Sequence, residues 1–167
     1  VPLGKGSMIA VLGMKTNELV SLIKSNTEIK GVCEIANDNA EGQVILSGDK
    51  ESIQIAQNYL KEKKIKSIPL KVSAPFHCSL MKPASESMKE KIEKTNFKEP
   101  KFQIINNVTA KVERGQDKIK DLLIKQIFST VRWRESIINM SEAGIKDFIE
   151  IGPGKILTGM VKRTLKN

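Results

Sequence analysis

The order in which hydrophobic periods succeed one another between residues 8 and 72 constrains the fold more than any other feature of the chain. Residues 8–13 (M-I-A-V-L-G) form an apolar run of strand length. Across 17–25, Leu19, Leu22 and Ile23 fall on one helical face, with Thr16 placed as the N-cap. Residues 32–36 and 43–47 read as two strands. The polar cluster 37–42 (N-D-N-A-E-G) between them reads as the turn of a hairpin. Gly48-Asp49-Lys50 then opens a helix over 51–63, where Ile53, Ala56 and Leu60 repeat at helical spacing, and 66–72 closes the series as a strand. The succession β-α-β-β-α-β predicts the ferredoxin-like split unit, an α/β fold class, for a first domain over 1–73.

A second domain, 74–167, alternates differently. Helices are expected over 80–95, with Pro83 in the first turn, and over 117–128, 133–143 and 155–165, with Gly144 ending the third. Residues 102–108 and 147–151 read as strands, the latter buried, and Gly152-Pro153-Gly154 as a tight turn. Alternating strands and helices imply a parallel sheet, for which two strands are too few. This region calls for more sheet than the chain supplies.

Between the two regions lies V-S-A-P-F-H-C-S-L-M-K-P (72–83), which contains the only histidine. Pro75 removes a strand donor and biases Ala74 towards extended backbone, so His77 is expected just beyond a strand and just before a helix. Such junctions commonly display catalytic groups, and imidazole is suited to carry a proton in both directions. A histidine packed for structural reasons is the competing interpretation. Cys78 is an implausible partner for His77, since adjacent side chains diverge.

Composition narrows the classes. Hydrophobic residues at 40% and charged residues at 28% describe an ordinary folded protein. No apolar run reaches the length of a membrane span, and there is no secretory leader. Two cysteines, Cys33 and Cys78, are too few for a disulfide scaffold and point to the cytoplasm. With a single histidine, no metal constellation is expected. The chain opens V-P-L-G-K-G without an initiator methionine, as a segment of a longer protein would. A net charge of +9 favours anionic partners. Lys61, Lys63, Lys64, Lys66 and Lys71 flank the strand leading to His77, either as a solvated helix end or as a landing surface for phosphate or carboxylate.

Three familiar motifs fail. Gly152-Pro153-Gly154-Lys155 lacks the phosphate-loop spacing. RNA binding on a split β-α-β unit needs strand aromatics, and 8–13 and 43–47 have none. No G-x-S-x-G nucleophile elbow occurs, so a histidine acting as base has no partner in these residues.

Several ordered blocks nevertheless resemble one family. These are G-S-M-I-A-V-L-G (6–13), N-D-N-A-E-G-Q-V-I-L-S-G (37–48), S-A-P-F-H-C-S-L-M-K-P (73–83), I-I-N-N-V (104–108), K-Q-I-F-S-T-V-R-W (125–133) and E-I-G-P-G-K-I-L-T-G (150–159). Together they resemble the C-terminal part of the malonyl-CoA:acyl-carrier-protein transacylases. The resemblance implies a ferredoxin-like small subdomain plus the C-terminal portion of an α/β-hydrolase-like acyltransferase subdomain. It implies transfer of malonyl from coenzyme A through an acyl-serine to the phosphopantetheine thiol of acyl carrier protein, in fatty-acid biosynthesis. It implies no cofactor beyond those thioesters and no nucleic-acid or membrane partner, with a monomer favoured.

His77 matches the family's catalytic base, and Gln126 the position whose backbone carbonyl orients the imidazole. Phe76 matches a residue lining the acyl pocket, where a bulky ring disfavours branched acyl groups; a core aromatic is the alternative. Lys66 matches a cation near the coenzyme's phosphates, and Asn37 and Asn39 positions near the pantetheine channel. The family's G-H-S-L-G nucleophile block, its glutamine-bearing oxyanion loop and its malonate-pairing arginine are absent from the chain, so it is expected to be inactive alone. An acyltransferase domain of a larger synthase and an inactive carrier-protein docking fragment are the alternatives.

Overall fold

A computed structural model describes residues 4–166. The first three residues of the expected first domain and the last of the second lie outside that range. The first region is the expected β-α-β-β-α-β unit: β1 (Gly6–Leu12), α1 (Thr16–Ser25), β2 (Cys33–Ala40), β3 (Gln43–Asp49), α2 (Lys50–Glu62) and β4 (Ser67–Pro69). The strands lie in the order β2-β3-β1-β4, each antiparallel to its neighbour. This is the ferredoxin-like arrangement, in which both helices cross the same sheet face. Ile9, Val11, Val44 and Leu46 line that face and pack on Leu19 and Ile23 of α1 and Ile53, Ala56 and Leu60 of α2. The opposite face carries a smaller cluster of Met8, Ala10, Ala36 and Ile45.

Local chemistry sets the joints. Asp49 caps α2, its carboxylate accepting from Ser52 N at 2.8 Å and from Val32 N at 2.6 Å. Burial opposes that charge, but the N–H groups of Ser52 and Val32 outweigh it and hold the carboxyl below its ordinary range. Beside it, a Cβ on Gly48 would lie 1.7 Å from the Val32 carbonyl oxygen, so only glycine lets β2 start so close to β3.

Three expectations for this region need correction. Thr16 is the first residue of α1 and Lys15 is its N-cap; Glu18 accepts from the Lys15 N–H at 3.4 Å. Residues 37–40 are strand, not turn, and only Glu41 and Gly42 connect β2 to β3. Ala36, Asp38 and Ala40 alternate inward at period two, and two bulges leave Ala36 and Asn39 without a partner on β3. The strand expected over 66–72 shrinks to Ser67–Pro69: Leu70 N still donates to Met8 O at 2.9 Å, but Val72 N then folds back onto Leu70 O at 3.0 Å and turns the chain away.

The second region comprises a 3-10 turn (Ser79–Met81), α3 (Lys82–Lys94), β5 (Ile104–Ile105), β6 (Val112–Glu113), α4 (Gln116–Lys125), α5 (Trp133–Glu142) and α6 (Ile156–Leu165). The helices fall where their periodicity places them, Pro83 in the first turn of α3 and Gly144 at φ +89° beyond α5. The strands do not. Of 102–108 only two residues pair, antiparallel to β6, and 147–151 is not a strand at all. Its Ile149 and Ile151 are 86% and 94% exposed. A β-strand exists only through a neighbour, and among the described residues none runs beside this segment. The expected parallel sheet is therefore not formed within the described residues.

Candidate active site at the histidine loop

The loop that carries His77 is fixed from below. Pro75 is buried against β1, where a Cβ on Gly6 would lie 2.3 Å from the proline ring. Phe76 N donates to Ala74 O at 3.0 Å, and the buried Cys78 thiol donates to Pro75 O at 3.2 Å. His77 itself sits at φ +59°, a left-handed conformation that costs a residue with a Cβ about 1–3 kcal/mol. Persistence of such strain requires the surroundings to over-determine it.

The imidazole is half-buried, on the wall of a cleft of about 480 Å³ also lined by Ile23, Cys33, Leu46 and Phe128. Its Nδ1 lies 2.9 Å from the backbone oxygen of Gln126. A carbonyl only accepts, so Nδ1 bears the proton and Nε2 presents its lone pair. Gln126 ends α4, where the last carbonyls have no partner within the helix and carry the negative end of its dipole. A helix terminus is thus placed where it can select one tautomer and favour the imidazolium, as a carboxylate does in a serine-hydrolase triad.

The segment following Gln126 is strapped to the edge of the ferredoxin-like sheet. Thr130 Oγ1 donates to Ile35 O at 2.6 Å, Val131 N donates to Ala36 O at 2.8 Å, and Asp38 N donates to Val131 O at 2.9 Å. Arg134 then forks onto the carboxylate of buried Asp38 at 2.8–3.1 Å. The hydrogen bonds to Asp38 raise the guanidinium's pKa further above its ordinary value. Arg132 donates to Val108 O and Thr109 O and pairs with Glu135, bringing the 104–108 block to the same place. Asp38, Arg134 and Thr130 escape a reading of the sequence. Asp38 sits in a turn-like cluster, and its partner is 96 residues away.

Neither cysteine supplies a nucleophile. Burial, with Asp49 and Glu34 nearby, pushes the Cys33 thiol up to about 12, and burial likewise raises Cys78. The glycine turn at 152–154 is no anion site either. The Glu150 carboxylate already occupies the N-terminus of α6, accepting from Leu157 N at 3.1 Å and Thr158 N at 2.8 Å.

The other candidates are dispersed. Phe76 adjoins His77 and is 39% exposed, so it is not a core aromatic. Asn37 and Asn39 are half-buried on β2, one edge of the sheet. Lys66 is exposed beside β4, the other edge, three inter-strand spacings or about 14 Å away. There it lines a groove with Gln57, Asn58, Lys61 and Lys64. The structure thus brings His77 and Gln126 together, leaves Phe76 as the exposed sequence neighbour of His77, and sets Lys66 apart from Asn37 and Asn39.

No protein-family model matches the chain. A malonyl CoA-acyl carrier protein transacylase of Bacillus subtilis is 42% identical over 164 residues, 98% of this chain and 52% of the relative. A crystal structure of an acyl carrier protein S-malonyltransferase from Vibrio cholerae superposes with a TM-score of 0.94 at 38% identity, covering 99% of this chain and 54% of that one. Over that half, the chain is a homologue of the malonyl CoA-acyl carrier protein transacylases. A third match, at TM-score 0.93 and 35% identity over 99% of this chain and 54% of the other, is a type II PKS acyl-carrier protein in complex with its malonyl-transacylase. The chain spans about half the length of the curated relatives it matches. What it shares with the transacylases is an α/β fold, the small ferredoxin-like subdomain together with part of the larger one.

Proposed function

We propose that this chain is the proton-shuttling half of a malonyl-CoA:acyl-carrier-protein transacylase, a soluble cytoplasmic enzyme of fatty-acid biosynthesis. The observation that carries the proposal is the 2.9 Å contact from His77 Nδ1 to the Gln126 carbonyl, which leaves Nε2 as a base on an open cleft. In this scheme Nε2 takes the proton of a serine hydroxyl as that serine attacks the malonyl thioester. The imidazolium then protonates the departing coenzyme A thiol. In the second half-reaction the same nitrogen deprotonates the phosphopantetheine thiol of acyl carrier protein, the sulfur attacks the malonyl ester, and the imidazolium returns the proton to the departing serine oxygen.

The nucleophile comes from outside these 167 residues, since the chain has no G-x-S-x-G elbow. The two domains are the ferredoxin-like unit to residue 73 and the transacylase remainder from 74. Phe76, exposed and next to His77 in the chain, would crowd a branched acyl group. Asn37 and Asn39 would face the pantetheine arm, and the lysine groove at Lys66 would meet phosphate or the acidic surface of the carrier. No resident cofactor is required, and the working unit is a monomer.

Incubating the 167-residue chain with radiolabelled malonyl-CoA should leave no covalent label; stable acylation of the chain would overturn the proposal. In the complete enzyme, His77→Ala should lower kcat by about 10²–10⁴-fold. Phe76→Ser should admit methylmalonyl, and unchanged acyl selectivity would remove Phe76 from the pocket.

A further inference from the structure

The strand that straps down the Gln126 arm also grips the histidine arm, and it does so through a residue with no assigned role. Glu34 lies on β2 opposite Ser47 of β3, on the sheet face away from the helices. Its carboxylate takes two hydrogen bonds from one residue of the histidine loop: Ser79 N at 2.8 Å to Oε2 and Ser79 Oγ at 2.6 Å to Oε1. Consecutive groups of the same strand, the carbonyls of Ile35 and Ala36 and the N–H and carboxylate of Asp38, hold Thr130, Val131 and Arg134. One short stretch of β2 thus grips both arms, alongside the bond from Ser85 Oγ to Ile124 O at 3.0 Å that joins α3 to α4.

We infer that Glu34 is a positioning residue, which sets the tautomer of His77 by clamping the histidine loop through Ser79 to the strand that bears the Gln126 segment. The loop needs such a clamp. His77 occupies a left-handed conformation that its neighbours must enforce; the hydrogen bonds within residues 74–81 are local, Pro75 rests on β1, and Ser85 Oγ donates to Ile124 O at 3.0 Å further along, so Glu34 is the side chain that ties the loop itself to β2. Both oxygens of Glu34 are engaged, which gives the contact a geometry that a single hydrogen bond lacks. The inference rests on the proton-shuttle proposal for its catalytic meaning, but the clamp itself is a statement about geometry.

A single histidine makes the test direct, because one imidazole gives one set of nitrogen signals. In the 15N-labelled 167-residue chain, a long-range proton–nitrogen spectrum of the neutral imidazole should show Nδ1 protonated and Nε2 bare. Glu34→Ala should lower the ratio of Nδ1–H to Nε2–H forms by about two- to tenfold, the equilibrium effect of one net hydrogen bond, while the amide spectrum stays folded. Glu34→Gln, which can still accept from Ser79 N and donate to Ser79 Oγ, should stay within about twofold of the parent.

An unchanged ratio in folded Glu34→Ala would overturn the clamp. So would an equal fall in Glu34→Gln, which would mark an effect of charge alone. If Glu34→Ala does not fold, Ser79→Ala serves instead: a smaller fall in the same direction supports the clamp, and no fall overturns it. In the complete enzyme Glu34→Ala should reduce kcat with little change in KM. A tautomer that responds in an enzyme that transfers no malonyl would leave the clamp standing and sink the proton-shuttle proposal. Transfer with an indifferent tautomer would do the reverse.

Discussion

The two regions of this chain use similar residues and reach different degrees of closure. In Gly6–Pro69, four strands find one another, and the helix-facing aliphatics are almost wholly withdrawn from water: Val11, Leu19, Val44, Leu46 and Leu60 are all at 0% exposure. From residue 82 onwards the helices form, yet Ile149 and Ile151, as apolar as anything in the first core, stand in solvent. The difference is one of partners rather than propensity. A helix satisfies its own backbone, so it forms wherever its periodicity is right. A strand must borrow a neighbour, and among its described residues the second region pairs within itself just in the two-residue ladder of β5 and β6.

The sharpest way to break this comparison is to cut into the closed core. Leu46→Ala removes a fully buried side chain packed between sheet and helices, and should cost about 2–5 kcal/mol in urea unfolding. A loss below about 1 kcal/mol would mean that the first region is no better packed than the second. Next in size is the tie between regions. Arg134→Ala leaves the carboxylate of Asp38 buried without its fork and should cost about 1–3 kcal/mol. It should also loosen the Gln126 arm, visible as faster amide exchange at Val131 and Asp38, whose backbones pair. Unchanged exchange at both would show that the backbone bridge holds without the ion pair.

A smaller effect depends on pH. The Asp49 carboxyl is held below its ordinary value by the N–H groups it caps, so its contribution is complete above the unfolded-state pKa of about 3.9 and disappears as pH falls through the lower folded-state value. Asp49→Asn keeps a capping oxygen without the charge. Its stability deficit relative to the parent should therefore be present at neutral pH, shrink as pH falls below about 4 and vanish only below the lower folded-state value. A deficit that is constant with pH would remove the charge from the capping account.

How much of this was legible in the sequence follows the same division. The β-α-β-β-α-β order could be read because every strand of that unit pairs inside the chain, so period and partner agree. Where side-chain chemistry contradicted backbone geometry, the reading slipped. Asn37 and Asn39 suggest a turn, but the inward alternation of Ala36, Asp38 and Ala40 and a backbone partner at Val131 make the segment a strand. β4 ended early because the chain turns back on itself after Leu70, which no periodicity announces. The histidine and the carbonyl at Gln126 entered through a resemblance, since a backbone oxygen leaves no mark in composition or spacing. Glu34 and Arg134 were beyond reach, because their partners lie 45 and 96 residues away and nothing local announces them.

The smallest expected effect tests the open side of the comparison. Ile149 is 86% exposed, so Ile149→Ser removes almost no buried surface and should change the unfolding free energy of the 167-residue chain by no more than about 0.5 kcal/mol. The same substitution in a complete transacylase should behave differently if 147–151 there gains a neighbouring strand: burial of one isoleucine then puts about 1.5–3 kcal/mol at stake. The pair of measurements separates two causes of the missing strand. A cost that appears only in the complete enzyme places the cause in the absent neighbour. Equal, negligible costs in both would mean that the segment is irregular by its own nature, as Gly152 at φ +146° and Pro153 just beyond it would favour, and that the apolar run at 147–151 was never a strand.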